Sequence, residues 1–368
     1  MLALIKPSSK DILANLLATE EEKTLFEKLY FDLRAISTQN SLTEFDGIIN
    51  KENANKIYPS YFSPTALATL FGCPAKYLFS KTAGEEKDIF LRGEIAANRQ
   101  GSLYHDILKD FYSFIKDKKD FLSISWTETE NLFNDFFDKR FSKSRTEKYG
   151  LYPLLWEIIK QEMKENLLNF IKEDLKNIQE TGFVPNDFEC SINATLTIHN
   201  KPITLQARAD RLDKSANDKE YMAVDYKKKY KTAGMENLIF NENNLQPPIY
   251  LEVLNKENND SVCSKTKLAY IENDKSNPFK SLTLEEYGKI RDKFITLLSF
   301  LRDLAEQGIF PIYSEDKDHC NFCDFKDICR KNHLPTLKRV QKSNYFKELK
   351  NFHYVPSRPR GQKNSRRK

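Results

Sequence analysis

The chain has 368 residues, 40% of them hydrophobic and 30% charged, with six cysteines and a formal net charge of +5. This composition excludes a disordered polymer, the length allows one large domain or two ordinary ones, and no apolar run approaches the roughly 20 residues needed to span a bilayer. The charge is local: from Asn351 onward stand six basic residues and no acids, leaving the rest at a net −1, so electrostatics marks a basic tail rather than a basic body.

In chain order, the opening Met1 to Ile5 is too short for a signal peptide's apolar core and is closed by Lys6 and Pro7, which predicts a cytoplasmic protein. Residues 11–36 repeat apolar positions at helical spacing (Ile12, Leu16, Leu25, Leu29, Leu33), and the polar stretch to about Lys56 reads as loop. Ser63-Pro64 marks a helix start whose helix runs into Cys73-Pro74. Gly101 to Phe114 reads as an amphipathic helix carrying His105, and 126–180 as two or three helices with almost no Gly or Pro, an insertion over about 121–182. Three strand-like segments follow, Phe188 to His199, Ile203 to Leu212 and Tyr221 to Lys227, separated by turn-forming residues as in a meander. Asn244 to Asn255 then reads as a helix, Lys265 to Ile271 as a strand, and Leu282 to Gln307 as a long helix ended by Gly308.

Two constellations carry chemistry. Cys320, Cys323 and Cys329 put three thiols within ten residues, at ligand spacing for zinc or iron-sulfur in a chain whose compartment disfavours disulfides. The fourth ligand is not local: His319 and Cys73 are candidates, while Cys190 and Cys263 sit in strands as small hydrophobes. On the meander, Asp210 ends one strand and Val224-Asp225-Tyr226-Lys227 lies on the next. Strand alternation places Asp225 and Lys227 on one face. Adjacent strands would bring together two carboxylates and a lysine, the groups a metal-assisted hydrolysis needs to hold Mg²⁺ or Mn²⁺ and activate water. Alone the D-x-K triplet is a weak signal, since most strand-end charges are solvated. Co-occurrence with other motifs strengthens it.

Cys73-Pro-Ala-Lys-Tyr77 after the Ser-Pro helix, Gly101 to His105, Asp210-Arg-Leu-Asp213, Val224 to Lys227, Gln246 to Tyr250 and the cysteine triplet occur in this order. The ordered set resembles RecB-like nucleases of the PD-(D/E)XK superfamily. It is most similar to the AddB-type nuclease domain, whose iron-sulfur variant is shared with CRISPR-associated adaptation exonucleases. The resemblance covers about residues 61–330. It implies an α/β (α+β) fold with a restriction-endonuclease-like core, a central mixed sheet flanked by helices, a helical insertion and an iron-sulfur staple.

By the same resemblance, His105, Asp210 and Asp225 are expected to hold Mg²⁺ or Mn²⁺. Lys227 is expected to orient the water or stabilise charge on the phosphorus, with Gln246 and Tyr250, which share a helix face, steering it. Cys73, Cys320, Cys323 and Cys329 are expected to bind a 4Fe-4S cluster, zinc being the alternative four thiolates also suit. The expected activity is a deoxyribonuclease acting on DNA ends in repair or recombination. The alternative is a catalytically silent DNA-binding subunit with a structural metal. No Gly-x-x-x-x-Gly-Lys-Ser/Thr occurs, so no ATP site is expected and any motor would be a separate helicase. Expected boundaries are 1–57 for an N-terminal helical segment, 58–335 for the nuclease domain and 336–368 for a basic tail. Ala207 stands where the family usually has Gly, and Lys228-Lys229-Tyr230 where Ser/Thr-Gly often follows the lysine. The extra lysines are candidate phosphate contacts. Glu189, on the preceding strand, is left outside the expected site.

Overall fold

The computed structural model describes residues 41–83, 97–142, 153–216, 218–257, 261–273, 277–314, 320–321 and 323–353, with a few residues of 19–30. His319, most of the 11–36 helix and the tail beyond 353 lie outside the described residues.

The helices of the first part are α1 (Lys51–Ile57), α2 (Pro64–Gly72), α3 (Pro74–Thr82), α4 (Ala97–Lys116), α5 (Trp126–Phe141) and α6 (Pro153–Thr181). Ser63 begins α2 as foreseen, its hydroxyl accepting from Ala66 N at 3.1 Å with Pro64 at the first helical position. Helix α1 falls where the sequence reads as loop. Asn50 caps it through Asn53 N, and its one buried residue, Ala54, gives too narrow an apolar stripe for periodicity to reveal.

A five-stranded mixed sheet follows, in the order β1-β2-β3-β4-β5: β1 (Phe183–Ile198), β2 (Lys201–Ser215), β3 (Glu220–Lys229), β4 (Val262–Glu272) and β5 (Phe279–Thr283). The first three form the expected antiparallel meander, β4 is parallel to β3 and β5 antiparallel to β4. A parallel neighbour requires a crossover, supplied by α7 (Met235–Phe240) and α8 (Gln246–Glu257). Strand β5 occupies the first residues assigned by periodicity to the long helix. That helix, α9 (Leu284–Gln307), starts at a Thr283/Glu286 capping box and ends at Gly308 with φ 71°. The observed architecture is the expected α/β core.

Helices flank both faces of the sheet. One core joins Ile192, Leu205, Ala207 and Ala209 to α2, α8 and α9; the other joins Met222, Val224 and Tyr226 to α4, α5 and α6. The last two helices correct the expected tail boundary. α10 (Leu334–Lys342) and α11 (Asn344–Phe352) bury Val340, Tyr345, Leu349 and Phe352 in the first core, so residues 336–352 belong to the folded body.

Candidate active site

Strand β2 changes sides at Asp210. Ala207 and Ala209 pack into the first core, whereas Arg211 is buried against Asp174 of α6 in the second. On β1 the break coincides with Glu189, whose φ is 54°, a left-handed backbone costly for a non-glycine residue. The registers explain why this matters. Cys190 pairs with Ala209 and Phe188 with Arg211, which sets Glu189 opposite Asp210. Arg211 pairs with Val224, so Asp225 stands opposite Asp210 one step further. Three carboxylates from three strands thus lie in one row across the sheet at the point where it bends.

Helix α4 brings His105 over this row, its Nδ1 3.2 Å from Asp210 Oδ1. Asp210 Oδ2 accepts from Tyr226 N at 2.6 Å, which fixes its orientation. Ligand atoms of His105, Glu189 and Asp210 all lie within 4.8 Å of one another, one imidazole nitrogen and two carboxylates suited to a divalent cation. Glu189 is also ion-paired with Arg208.

Asp225 is 3% exposed. Its Oδ2 lies 2.6 Å from Lys227 Nζ, and its Oδ1 accepts from Gln246 Nε2 at 2.6 Å. Gln246 turns its other end to Lys227, Nζ donating to Oε1 at 2.5 Å, so one amide holds both partners of the ion pair. The Tyr250 hydroxyl is 2.8 Å from Arg208 O and 3.2 Å from Asp225 Oδ1. Burial pushes the Asp225 carboxyl above its ordinary range and the nearby Asp210 charge adds to this, with Lys227 opposing. Burial disfavours protonated His105, but the Asp210 hydrogen bond and the charges of Asp210 and Asp225 outweigh it and raise its pKa.

All six residues expected at this site therefore come together: His105, Asp210, Asp225, Lys227, Gln246 and Tyr250. Glu189 joins them although the sequence reading left it out. Its place depends on a cross-strand register and a positive φ that no local motif announces. Of the extra lysines, Lys228 is bonded to Gln100 and lies 3.5 Å from Glu272, so it is engaged within the fold.

Cys73 stands at the junction of α2 and α3. Its burial, together with the charges of Cys329, Cys320 and Cys323, pushes its thiol up to about 11. Phe79 packs on Phe325 with centroids 5.5 Å apart, docking the triplet's loop on α3. Cys263 is buried, its thiol raised to about 12 by desolvation, and Cys190 packs at the edge of the first core, the behaviour expected of apolar cysteines. No helix among the described residues is long and apolar enough to cross a membrane.

The model of the PD-(D/E)XK nuclease superfamily matches residues 61–330. No curated protein matches the chain. Among solved structures the chain is similar to that of SSO0001, at 13% identity over 74% of this chain and 87% of the other, with a TM-score of 0.33. It is similar also to a protein from Eubacterium rectale named provisionally as an exonuclease, at 11% identity over 76% of this chain and 90% of the other, with a TM-score of 0.43.

Proposed function

The chain belongs to the PD-(D/E)XK nuclease superfamily, and from that membership we propose that it is a divalent-metal-dependent deoxyribonuclease hydrolysing phosphodiester bonds at DNA ends. The observation that carries this reading is the cross-sheet row of Glu189, Asp210 and Asp225 capped by His105, with Lys227 beside it.

His105, Glu189 and Asp210 would hold Mg²⁺ or Mn²⁺, with Asp225 contributing from the adjacent strand; the donor set fits a hard cation. Once bound, such an ion supplies Lewis-acid polarisation of a phosphoryl oxygen and a lowered pKa for attacking water. Lys227 is placed to orient that water and offset charge growing on the phosphorus, and the Gln246 amide keeps its ammonium from collapsing onto Asp225 alone. Tyr250 fixes the strand by holding the Arg208 carbonyl.

We assign Cys73, Cys320, Cys323 and Cys329 to one structural centre, a 4Fe-4S cluster, in the RecB-like, AddB-type branch. Its role is to close the loop from 74 to 319 and so constrain the unfolded chain. Support comes from the packing of Phe79, which follows Cys73 on α3, against Phe325, which lies between Cys323 and Cys329. The biological setting is DNA repair or recombination, where a separate helicase would do the unwinding.

The test is degradation of end-labelled single- and double-stranded DNA with Mg²⁺ or Mn²⁺ by anaerobically purified chain beside its Asp225→Ala variant. Metal-dependent cutting by the parent and none by the variant is expected. No cutting by either, from brown folded protein, would favour a silent DNA-binding subunit.

A further inference from the structure

Beyond Asp210, β2 and β1 turn a polar face away from the first core. Arg208 and Gln206 follow Asp210 at alternate positions, paired with Ser191 and Asn193 across the ladder. From Asp210 to Gln206 this row extends roughly 13 Å at about 3.3 Å per residue. A groove of about 630 Å³ lies over it, lined by Gln206, Arg208, Ser191, Tyr61 and Lys81 and reaching Gln246 and Tyr250 at its inner end. The groove opens directly onto the groups that grip Asp225.

Its outer wall is the segment before α2. Phe62 is buried, its N–H donating to Thr204 O at 2.8 Å and its carbonyl accepting from Gln206 N at 3.0 Å, so this short stretch is held to β2 by a parallel bridge to Leu205. Alternation in an extended backbone turns Tyr61 the other way, and it is 48% exposed. A tyrosine on backbone anchored this firmly gains nothing for the core. Also lining the groove, the Arg208 side chain is 63% exposed, paired with Glu189 but two residues from Asp210 on the same face.

We propose that this groove binds the unpaired nucleotide next to the scissile phosphate, Tyr61 stacking on its base and Arg208 meeting its phosphate. A rigid aromatic beside a cation in a groove of nucleotide size is the arrangement by which proteins grip single strands without reading sequence. A duplex presents no free base face to it. The inference rests on the nuclease reading for the identity of the ligand and makes unpaired ends the substrate.

The test uses the full chain carrying Asp225→Ala, so that the strand survives, and a single-stranded oligonucleotide with 2-aminopurine near its end. Adding Tyr61→Ala is expected to weaken binding about tenfold and abolish stacking-induced quenching of 2-aminopurine, while Tyr61→Phe keeps both. Arg208→Ala is expected to reduce the slope of log affinity against log salt by about 0.7, one phosphate contact on a single strand. A relaxed, covalently closed circular duplex, which has neither ends nor hairpin loops, should bind without regard to residue 61. Unchanged affinity and quenching in Tyr61→Ala, or equal losses for the circular duplex, would overturn the proposal. In chain that retains Asp225, cleavage kinetics separate the two readings: cutting by the parent with Tyr61→Ala indistinguishable sinks the subsite alone. Binding losses without any cutting by the parent sink the nuclease reading and leave the subsite standing.

Discussion

Lys227 touches Asp225 and, through one amide, Gln246. Its removal both deletes the cation beside the reacting phosphate and strands a buried carboxylate. Lys227→Ala should therefore lower kcat by about 10²- to 10³-fold, the loss seen when one preorganised charge-stabilising donor is deleted, with KM little changed in steady-state assays. Glu189 is tested differently. If it shares the cation with His105 and Asp210, Glu189→Gln should raise the Mn²⁺ concentration for half-maximal activity about tenfold while near-saturating metal recovers much of the rate. An unchanged metal titration would remove Glu189 from the site. Motif order singled out His105, Asp210, Asp225 and Lys227, whose residue types are those that metal-assisted hydrolysis requires. Glu189 stayed hidden because a glutamate on a strand carries no such mark until its φ of 54° and its partner Asp210 are known.

Helix α6 is tied to the sheet by a buried quartet of charges. Arg211 donates to Asp174 Oδ2 at 2.6 Å and to Asp213 at 2.6 and 2.9 Å, Lys267 reaches Asp174 Oδ1 at 3.2 Å, and Tyr112 and Tyr226 complete the network. Burial alone would raise the Asp174 pKa, yet Arg211 and Lys267 hold it well below the usual range. Two cations balance two anions, so removing one member leaves an uncompensated buried charge. Arg211→Met should cost about 3–5 kcal/mol, read as a lower midpoint in denaturant unfolding. A loss below about 1 kcal/mol would show that water reaches the quartet. Helix α6 is therefore anchored directly behind Asp210 and Asp225, since Arg211 and Tyr226 are their chain neighbours. Alternating and helical patterns made β1 to β3, α4, α8 and α9 readable. They missed α1 and β5, whose formation depends on contacts made elsewhere in the chain.

Over the whole molecule, the two ends of the body meet through backbone and side-chain contacts. Ile48 bridges Ile309, and Gly47 O accepts from Phe310 N at 2.8 Å. Gly47 has φ 97°, and a Cβ there would stand 1.9 Å from Phe310 O, so Gly47→Ala should destabilise the chain measurably in thermal unfolding. Buried Asp46 accepts from Arg339 Nε and Nη2, both at 2.7 Å. Burial opposes its charge, but Arg339, Thr336 and Thr43 prevail and lower its pKa. A lowered folded-state pKa means stability present above the unfolded carboxylate range and lost as pH falls through the folded value. The Tm gap between parent and Asp46→Asn should thus be widest near neutrality and close below about pH 4. Cys73→Ser should abolish visible absorption and lower Tm while this second clasp keeps the body folded.

By itself the sequence determined which chemistry-bearing residues the chain offers and in what order: the carboxylates, the lysine and the thiols, and the alternation that makes a meander, are local properties of the chain. Tertiary structure alone decided that Glu189 joins the candidate site, that Asp213 is a structural anion of the Arg211 network, that the helices over 336–352 pack on the core and that Tyr61 faces a groove. Each of these depends on cross-strand register, backbone handedness or contacts between segments far apart in sequence, and such relations acquire a definite value only when the chain closes on itself.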